Sequence, residues 1–595
     1  MKKTIFISAI LTLFLMGIMS SCEETLEAPT KSSLDEQVIF STPVLAEGAL
    51  MGIHQSLAET NSYRGRYIPF YGINTDIEWY NSSENVSDDR AKLTGYDPLP
   101  TNTQMNMENN AWAKMYEAIE RANLCIRGLR LYGNVEKNPE LAQILGEALT
   151  LRAMIYNDLI KAWGDVPARF EPISPSTLYL PKSDRDVIYK QIIADLAEAE
   201  NYVAWPNETA VTRTTERVNK AFVKGLRARI CLAAAGYSQR PDGTIRRSND
   251  PELSVENLYP IVKQECIDVI ESKTCKLGTF EQNFRNLCQD NVTAGLESLY
   301  EIPFSDGRGR VLYTFGVKHT TTDKYTQQAQ GGQNGPLPYV YYDFDKDDIR
   351  RDITCVPYEW TNGKQVPRKL SSWCFGKLRY EWMKRVVTST NDDGVNWQCM
   401  RYADIYLMAA EAINELDGPE AAAPYLREIR KRAFPNNPEK VDAYMASVTA
   451  SKEAFFNAIV NERALEFCGE SLRKADLIRW NLLSTKMNEA KAKLTRLANR
   501  QGEYADLPEK IYYKTASDGE SLIIYGLEHG HTDTEGAALN YESSKGWFVS
   551  NGVNTLTDDK INSLFQRDPD TRQFWPIWQV FIDSSNGLLK NDYGY

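Results

Sequence analysis

The sequence predicts a mostly α-helical fold in which about four helix pairs carry loop-rich, aromatic-bearing insertions. Three observations point there. Apolar residues recur three and four apart over long stretches, and small residues sit inside those stretches. Between them the periodicity gives way to Gly, Pro and Tyr. The chain has 595 residues, 42% hydrophobic and 25% charged, as in an ordinary soluble globular protein, but with 32 Tyr and 12 Trp. A net charge of −12 argues against nucleic acid as a partner, because phosphate binding needs a basic face.

At the N-terminus, Lys2 and Lys3 precede an apolar run from Ile5 to Met19, followed by Ser20, Ser21 and Cys22. A positive start, an apolar segment and small residues before a cut make residues 1–21 a secretory signal peptide. Gly17-Ile18-Met19-Ser20-Ser21-Cys22 resembles a bacterial lipobox, which would make Cys22 the lipidated first residue of the mature chain. Residues 22–40, opening with Glu23, Glu24 and Glu27, are expected to be the lipidated cysteine and its tether. The acidic residues resemble the surface-export signal of Bacteroidetes lipoproteins. No later segment is apolar over 18 consecutive residues, so the mature chain is expected to be anchored and not to span. The other nine cysteines are irregularly spaced without a CxxC, which fits neither a disulfide scaffold nor a zinc site.

Helical periodicity begins at Met107 to Tyr132, with Trp112, Met115, Tyr116, Ile119 and Ile126 on one side, and continues from Asn138 to Trp163 after a Gly133-Asn134 turn. Asp186–Val203 and Asn219–Gly236 read as a second pair, Ala403–Leu416 and Pro419–Arg432 as a third, Lys452–Cys468 and Leu472–Leu483 as a fourth. Alanines at helical spacing, such as Ala228, Ala233 and Ala234, let neighbouring helices approach closely, as in tetratricopeptide-type pairs. The scaffold is thus expected at about 107–236 and 400–483, within one domain spanning 41–595.

Two regions, about 63–106 and 275–399, have a different texture. Tyr300 to Trp382 holds 15 aromatics in 83 residues, and Tyr63 to Tyr96 holds seven in 34. Loops on a rigid scaffold carry binding, so these insertions are the functional candidates.

The stretch Val460 to Trp480, VNERALEFCGESLRKADLIRW, is dense in charge. Glu462, Glu466 and Glu470 are spaced four apart, which is unfavourable unless cations pair with them, and Arg463, Arg473 and Arg479 supply guanidinium forks suited to carboxylates. An ion-pair lattice clamping a helix hairpin is expected here, not an acid/base site.

The same run, Glu462, Arg463, Glu466, Phe467, Arg473, Asp476, Leu477, Arg479 and Trp480, resembles the E-R-x-x-E-F-x-x-E-G-x-R-x-x-D-L-x-R-W hallmark of the SusD/RagB family of Bacteroidetes outer-membrane nutrient-binding lipoproteins, with Glu470-Ser471 departing from its Glu-Gly. Arg401 to Leu407 with Ala410-Glu411-Ala412 is similar to the family's R-x-A-E-x-x-L-x-x-A-E-A helix. Trp112, Tyr116, Ile119 and Asn123 resemble another family helix, and Arg152-Ala153 through Trp163-Gly164-Asp165-Val166-Pro167 a third segment. Trp575-Pro576-Ile577 and the closing Gly594-Tyr595 resemble the usual ending, with Trp578 and Asp592-Tyr593 as departures. The resemblance covers nearly the whole chain. It implies four tetratricopeptide-like pairs forming a right-handed superhelical scaffold, and a non-catalytic lipoprotein, anchored in the outer membrane and facing the cell surface. Such a protein captures an oligosaccharide or polysaccharide and delivers it to a TonB-dependent SusC-like transporter. Fold alone does not name the ligand, and a peptide-binding RagB-like member or a lipoprotein glycoside hydrolase are the alternatives.

A glycan offers apolar ring faces and a rim of hydroxyls, which Trp and Tyr platforms and polar side chains respectively suit. The stacking surface is expected at Trp79, Tyr80, Tyr96, Tyr325 and Tyr339, with Asp76, Asn81 and Arg90 reading hydroxyls. Asp343, Asp345, Asp347 and Asp348 lack the Gly and Glu of a calcium loop, and Arg350 and Arg351 point instead to an ion-paired helix start. Four histidines offer little for Ser-His or Cys-His catalysis, and the glycines at 307–309 and 331–335 do not lead a strand into a helix as a dinucleotide loop would. No metal, cofactor or catalytic residue is expected.

Overall fold

Five scaffold helices start on a side-chain cap that takes up one or two of their free N–H groups. Asn110 caps Ala111–Tyr132, and Asn138 accepts from Glu140 and Leu141 at the head of Pro139–Trp163. Asp184 caps Arg185–Ala199, Asn219 caps Lys220–Ala234, and Ser451 caps Lys452–Phe467. The structure, a computed structural model, describes residues 35–550 and 552–595; the expected signal peptide at 1–21 and Cys22 lie outside the described residues. Within the expected tether, Glu36–Ser41 is already helical and leads into the helix Pro43–Leu57.

Successive helices pack on one another: Pro43–Leu57 on Ala111–Tyr132, then Pro139–Trp163, Arg185–Ala199 and Lys220–Ala234. Val255–Ser272, missed in the sequence, buries Leu258, Val262, Cys266 and Val269 and joins Lys220–Ala234 to Tyr402–Asp417. Tyr402–Asp417 in turn packs on Pro419–Ala433 and Lys452–Phe467. The mostly helical architecture of tetratricopeptide-like pairs matches expectation. One boundary differs. Arg473–Arg479 is a single short helix, ended by Asn481 at φ +59, and Leu483–Ala498 is a separate helix. All nine described cysteines are free.

The charged stretch forms the expected lattice. Arg350 reaches Asp348, Glu462 and Glu466 at 2.6–2.8 Å, and Arg401 reaches Glu297, Glu466 and Glu470 at 2.5–2.9 Å. Arg463 joins Asp404 to Asp476, and Arg479 joins Asp476 to Glu411. Burial opposes ionisation of Glu466, but Arg432, Arg401 and Arg350 overcome it and hold the carboxyl well below its usual range. The four acids at 343–348 are ion-paired as well, Asp343 with Lys493, Asp345 and Asp347 with Lys440, and Asp348 with Arg350.

The end of the chain returns to the first pair. Trp163 Nε1 donates to the Pro576 carbonyl (3.1 Å), and Tyr593 Oη accepts from the Asp165 amide (2.9 Å) and from Arg185 (2.7 Å). Gly164, at φ +72, leaves room for the Tyr593 hydroxyl, which would stand 2.5 Å from any β-carbon there.

Candidate functional site

The two aromatic insertions meet in an antiparallel pairing of Glu78–Tyr80 with Asn334–Pro336, with Trp79 opposite Gly335. A β-carbon at Gly335 would lie 1.9 Å from the Trp373 carbonyl oxygen, so the pairing requires glycine. Asn81 Nδ2 donates to the Gly332 and Trp373 carbonyls at 3.0 and 3.1 Å and secures the strand end.

Most of the predicted site residues build this junction and do not face solvent. Trp79 is 0% exposed, with the Lys560 ammonium 4.2 Å from its ring centre. Tyr96 is buried and donates to the Asn74 carbonyl at 2.9 Å. Tyr339 is buried and donates to the Asp76 carbonyl. Asp76 receives two hydrogen bonds from Arg473, at 2.8 and 2.6 Å. These placements correct the expectation of an open shelf: Trp79, Tyr96 and Tyr339 have no free ring face, and Asp76 and Asn81 are engaged within the fold. The physical reason is that insertions with little helix must draw their core from their own aromatics.

Two predicted residues remain at the surface. Tyr325 is half-buried, edge-on to Trp360 at 5.3 Å, with Lys324 5.1 Å from its ring centre. Arg90, 44% exposed at its side chain, pairs with Asp88 at 3.0 Å. Tyr80, expected in the stacking surface, is instead buried like Trp79, its phenol pushed up by burial, with Arg90, Asp88 and Tyr313 as charged and phenolic neighbours. Around Arg90 and Tyr80 stand residues the expectation omitted. Tyr313 is half-buried, and the Arg310 guanidinium lies 4.2 Å from its ring centre. The backbone here is held by Asp393, whose Oδ2 accepts from the amides of Leu312 (2.9 Å) and Tyr313 (3.3 Å). Arg66 enters from the helical turn Tyr63–Tyr67 and donates to the Gln104 carbonyl at 2.8 Å. The readable signal was an Arg-Gly-Arg triplet in each insertion, at 64–66 and 308–310.

Several carboxyls are pushed up by burial, among them Asp343, which is ion-paired with Lys493, and Glu265, which is held by Lys224 and Arg227. Glu78 rises to about 8, Glu301 to about 7 and Asp393 to about 6, and each is buried. Elsewhere, a groove of about 560 Å³ between Trp112, Tyr116, Tyr179 and Phe581 is mainly apolar. Its polar groups are engaged, Arg121 by Glu117 and Glu120 by the Ile173 amide, so it has few free groups to read hydroxyls.

Comparison with known proteins agrees along the chain. A family model described as the SusD family matches residues 305–595, and one described as starch-binding associating with outer membrane matches residues 78–232. Two SusD-like proteins of Formosa agariphila are 25% identical over 511 residues (80% of this chain, 90% of the relative) and 27% identical over 499 residues (81% and 92%). The fold is similar to that of a SusD homolog from Bacteroides thetaiotaomicron, with TM-score 0.72, 19% identity and coverage of 95% of this chain and 99% of that one. It is also similar to surface glycan-binding protein A from Bacteroides thetaiotaomicron in complex with laminarihexaose, with TM-score 0.58, 18% identity and coverage of 92% and 99%. At these identities the structural likeness is one of fold.

Proposed function

Because this chain belongs to the SusD family, we propose that it is a non-catalytic, cell-surface glycan-binding lipoprotein that captures an oligosaccharide or polysaccharide and passes it to a SusC-like TonB-dependent transporter. Lipidation of Cys22 would hold it on the outer membrane. Among the described residues no helix is long and apolar enough to cross a membrane.

The observation that carries the reading is the face formed by Tyr313, Arg310 and Arg90 above Tyr80. A half-exposed Tyr ring can cover a sugar's C–H face, and guanidinium donors can read its oxygens. Tyr325 is a second contact on the same insertion. The buried residues Trp79, Tyr96, Tyr339, Asp76 and Asn81 serve by fixing the platform. The absence of catalysis is supported by the burial of Glu78, Glu301 and Asp393, since glycoside hydrolysis needs a raised-pKa acid and a second carboxylate reaching the same bond.

The test is native electrophoresis of the chain from Glu23 onward in gels containing soluble polysaccharides, with the same mixtures sampled for new reducing ends. Retardation without release of reducing ends supports capture. Release by pure protein overturns the non-catalytic reading, and no retardation by any glycan overturns glycan binding.

A further inference from the structure

Five arginines gather about the face just described, four reaching the surface and Arg64 buried, from two Arg-Gly-Arg triplets and one short helix. Arg64 and Arg66 flank Gly65, Arg308 and Arg310 flank Gly309, and Arg90 lies in Asp89–Thr94. Both central glycines are demanded by packing. A β-carbon at Gly65 would stand 1.9 Å from the Thr60 carbonyl oxygen, and one at Gly309 would stand 2.1 Å from Asp393 Oδ1 and 2.2 Å from the Gly394 amide. Each triplet is thereby pressed close against the chain beside it.

These arginines differ from the others in how they are matched. In the lattice, Arg350, Arg401, Arg463 and Arg479 each meet two or three carboxylates. In the face, among the described residues, only Arg90 has an ion pair, with Asp88. Arg66 is bound to the carbonyls of Gln104 and Gly65, and Arg310 lies over Tyr313. Arg64 is 4% exposed, its Nη2 bound to Thr60 while Nε and Nη1 have no partner. Asp393 bears on Arg64, and it is occupied by backbone amides. Burial lowers the proton affinity of Arg64 and of Arg66. Arg308 and Arg310 lower Arg64 further, and Arg310 and Arg90 lower Arg66 further, so the charges are close enough to repel.

Among the described residues, a chain of net charge −12 leaves Arg66, Arg308 and Arg310 without an ion pair there, while the acids of the same loops are taken up by other groups, Asp89 by Lys92 and Thr103, Asp306 by Arg385, and Asp392 by Thr388 and Arg385, so positive field is left over at that face. Guanidinium forks match sulfate and carboxylate oxygens bidentately, whereas a neutral hydroxyl uses only one donor at a time. We infer that the glycan taken at this face is anionic, its sulfate or carboxylate groups held by Arg66, Arg308 and Arg310 while Tyr313 covers a ring. The inference rests on the glycan-binding reading above and narrows it to a ligand class.

The test is calorimetric titration of the full soluble chain with two matched pairs, dextran against dextran sulfate and galactan against polygalacturonate, at low and high salt. The expected result is binding of the sulfated or the carboxylated polymer about tenfold or more tighter than its neutral counterpart, weakening several-fold between about 50 and 300 mM salt. Whichever charged polymer is preferred assigns sulfate esters or carboxylates. R66Q combined with R310Q should remove about tenfold of that preference with an unchanged thermal midpoint, and R496Q, an arginine paired with Glu503 elsewhere, should change nothing. Equal affinity for neutral and charged members overturns the anionic assignment and leaves glycan binding standing. Charged-polymer binding that R66Q/R310Q does not weaken also overturns it. No binding of any polymer overturns both readings.

Discussion

Arg473 grips Asp76 through both Nε and Nη2, at 2.8 and 2.6 Å, across 397 residues of sequence. The guanidinium comes from the charged family motif, and the carboxylate lies two residues before the strand that joins the insertions. Both are buried, so removing one strands the other's charge. Asp76→Ala or Arg473→Ala should each lower stability by about 3–5 kcal/mol, while Asp76→Leu with Arg473→Met should cost clearly less than their sum. Denaturant midpoints test this, and a single-variant loss under about 1 kcal/mol would contradict it.

Trp79 and Tyr313 should separate stability from binding. Trp79→Ala empties a fully buried site and should cost about 3–5 kcal/mol, read as a fall in thermal midpoint. Tyr313→Ala should leave the midpoint nearly unchanged and raise the glycan Kd about tenfold. A Tyr313→Ala protein that binds as before would move the site away from this face.

Glu78 links the junction to pH. Burial lifts its carboxyl from 4.5 to about 8, although the Gly469 amide, donating at 2.8 Å, opposes the rise. The folded chain therefore holds a proton that the unfolded chain has released between those values. The stability this group contributes is complete below about 4.5 and is lost as pH rises toward 8. Glu78→Gln keeps the acceptor and cannot ionise, so it should be near neutral at acid pH and stabilising by about 1 kcal/mol or more at mildly alkaline pH. Parallel stability–pH curves for the two proteins would refute this.

Ser471 occupies the family's glycine position with φ +57, and its buried hydroxyl has no partner. Left-handed backbone strains any residue bearing a β-carbon. Ser471→Gly should raise stability by about 0.5–1 kcal/mol, measurable as a shift in midpoint; destabilisation would mean the hydroxyl contributes to the turn.

The helices were legible because burial on one face imposes a three-and-four spacing, as in Pro139–Trp163 with its Asn138 cap. Ion pairing in Val460–Trp480 was legible because like charges four apart need opposite charges nearby. The boundary at Asn481 was not, since one left-handed residue leaves little trace in hydrophobic period. Nor could aromatic density separate platform from core. Trp79 and Tyr313 look alike in sequence, and only the pairing opposite Gly335 buries the first. The Arg-Gly-Arg triplets carried more information than any single aromatic, because without partners of their own they mark charge left available.

The bond from Trp163 to Pro576 spans 413 residues. Contacts so distant in sequence form late, because their loop-closure entropy is paid before they reward the chain. A polypeptide delivered N-terminus first must hold its earliest helix pair open, with Trp163 uncovered, until the final segment arrives to seal it. The interval before that seal is when this chain is most exposed to self-association, and its length is set by how fast the remaining chain is delivered, not by the helices themselves.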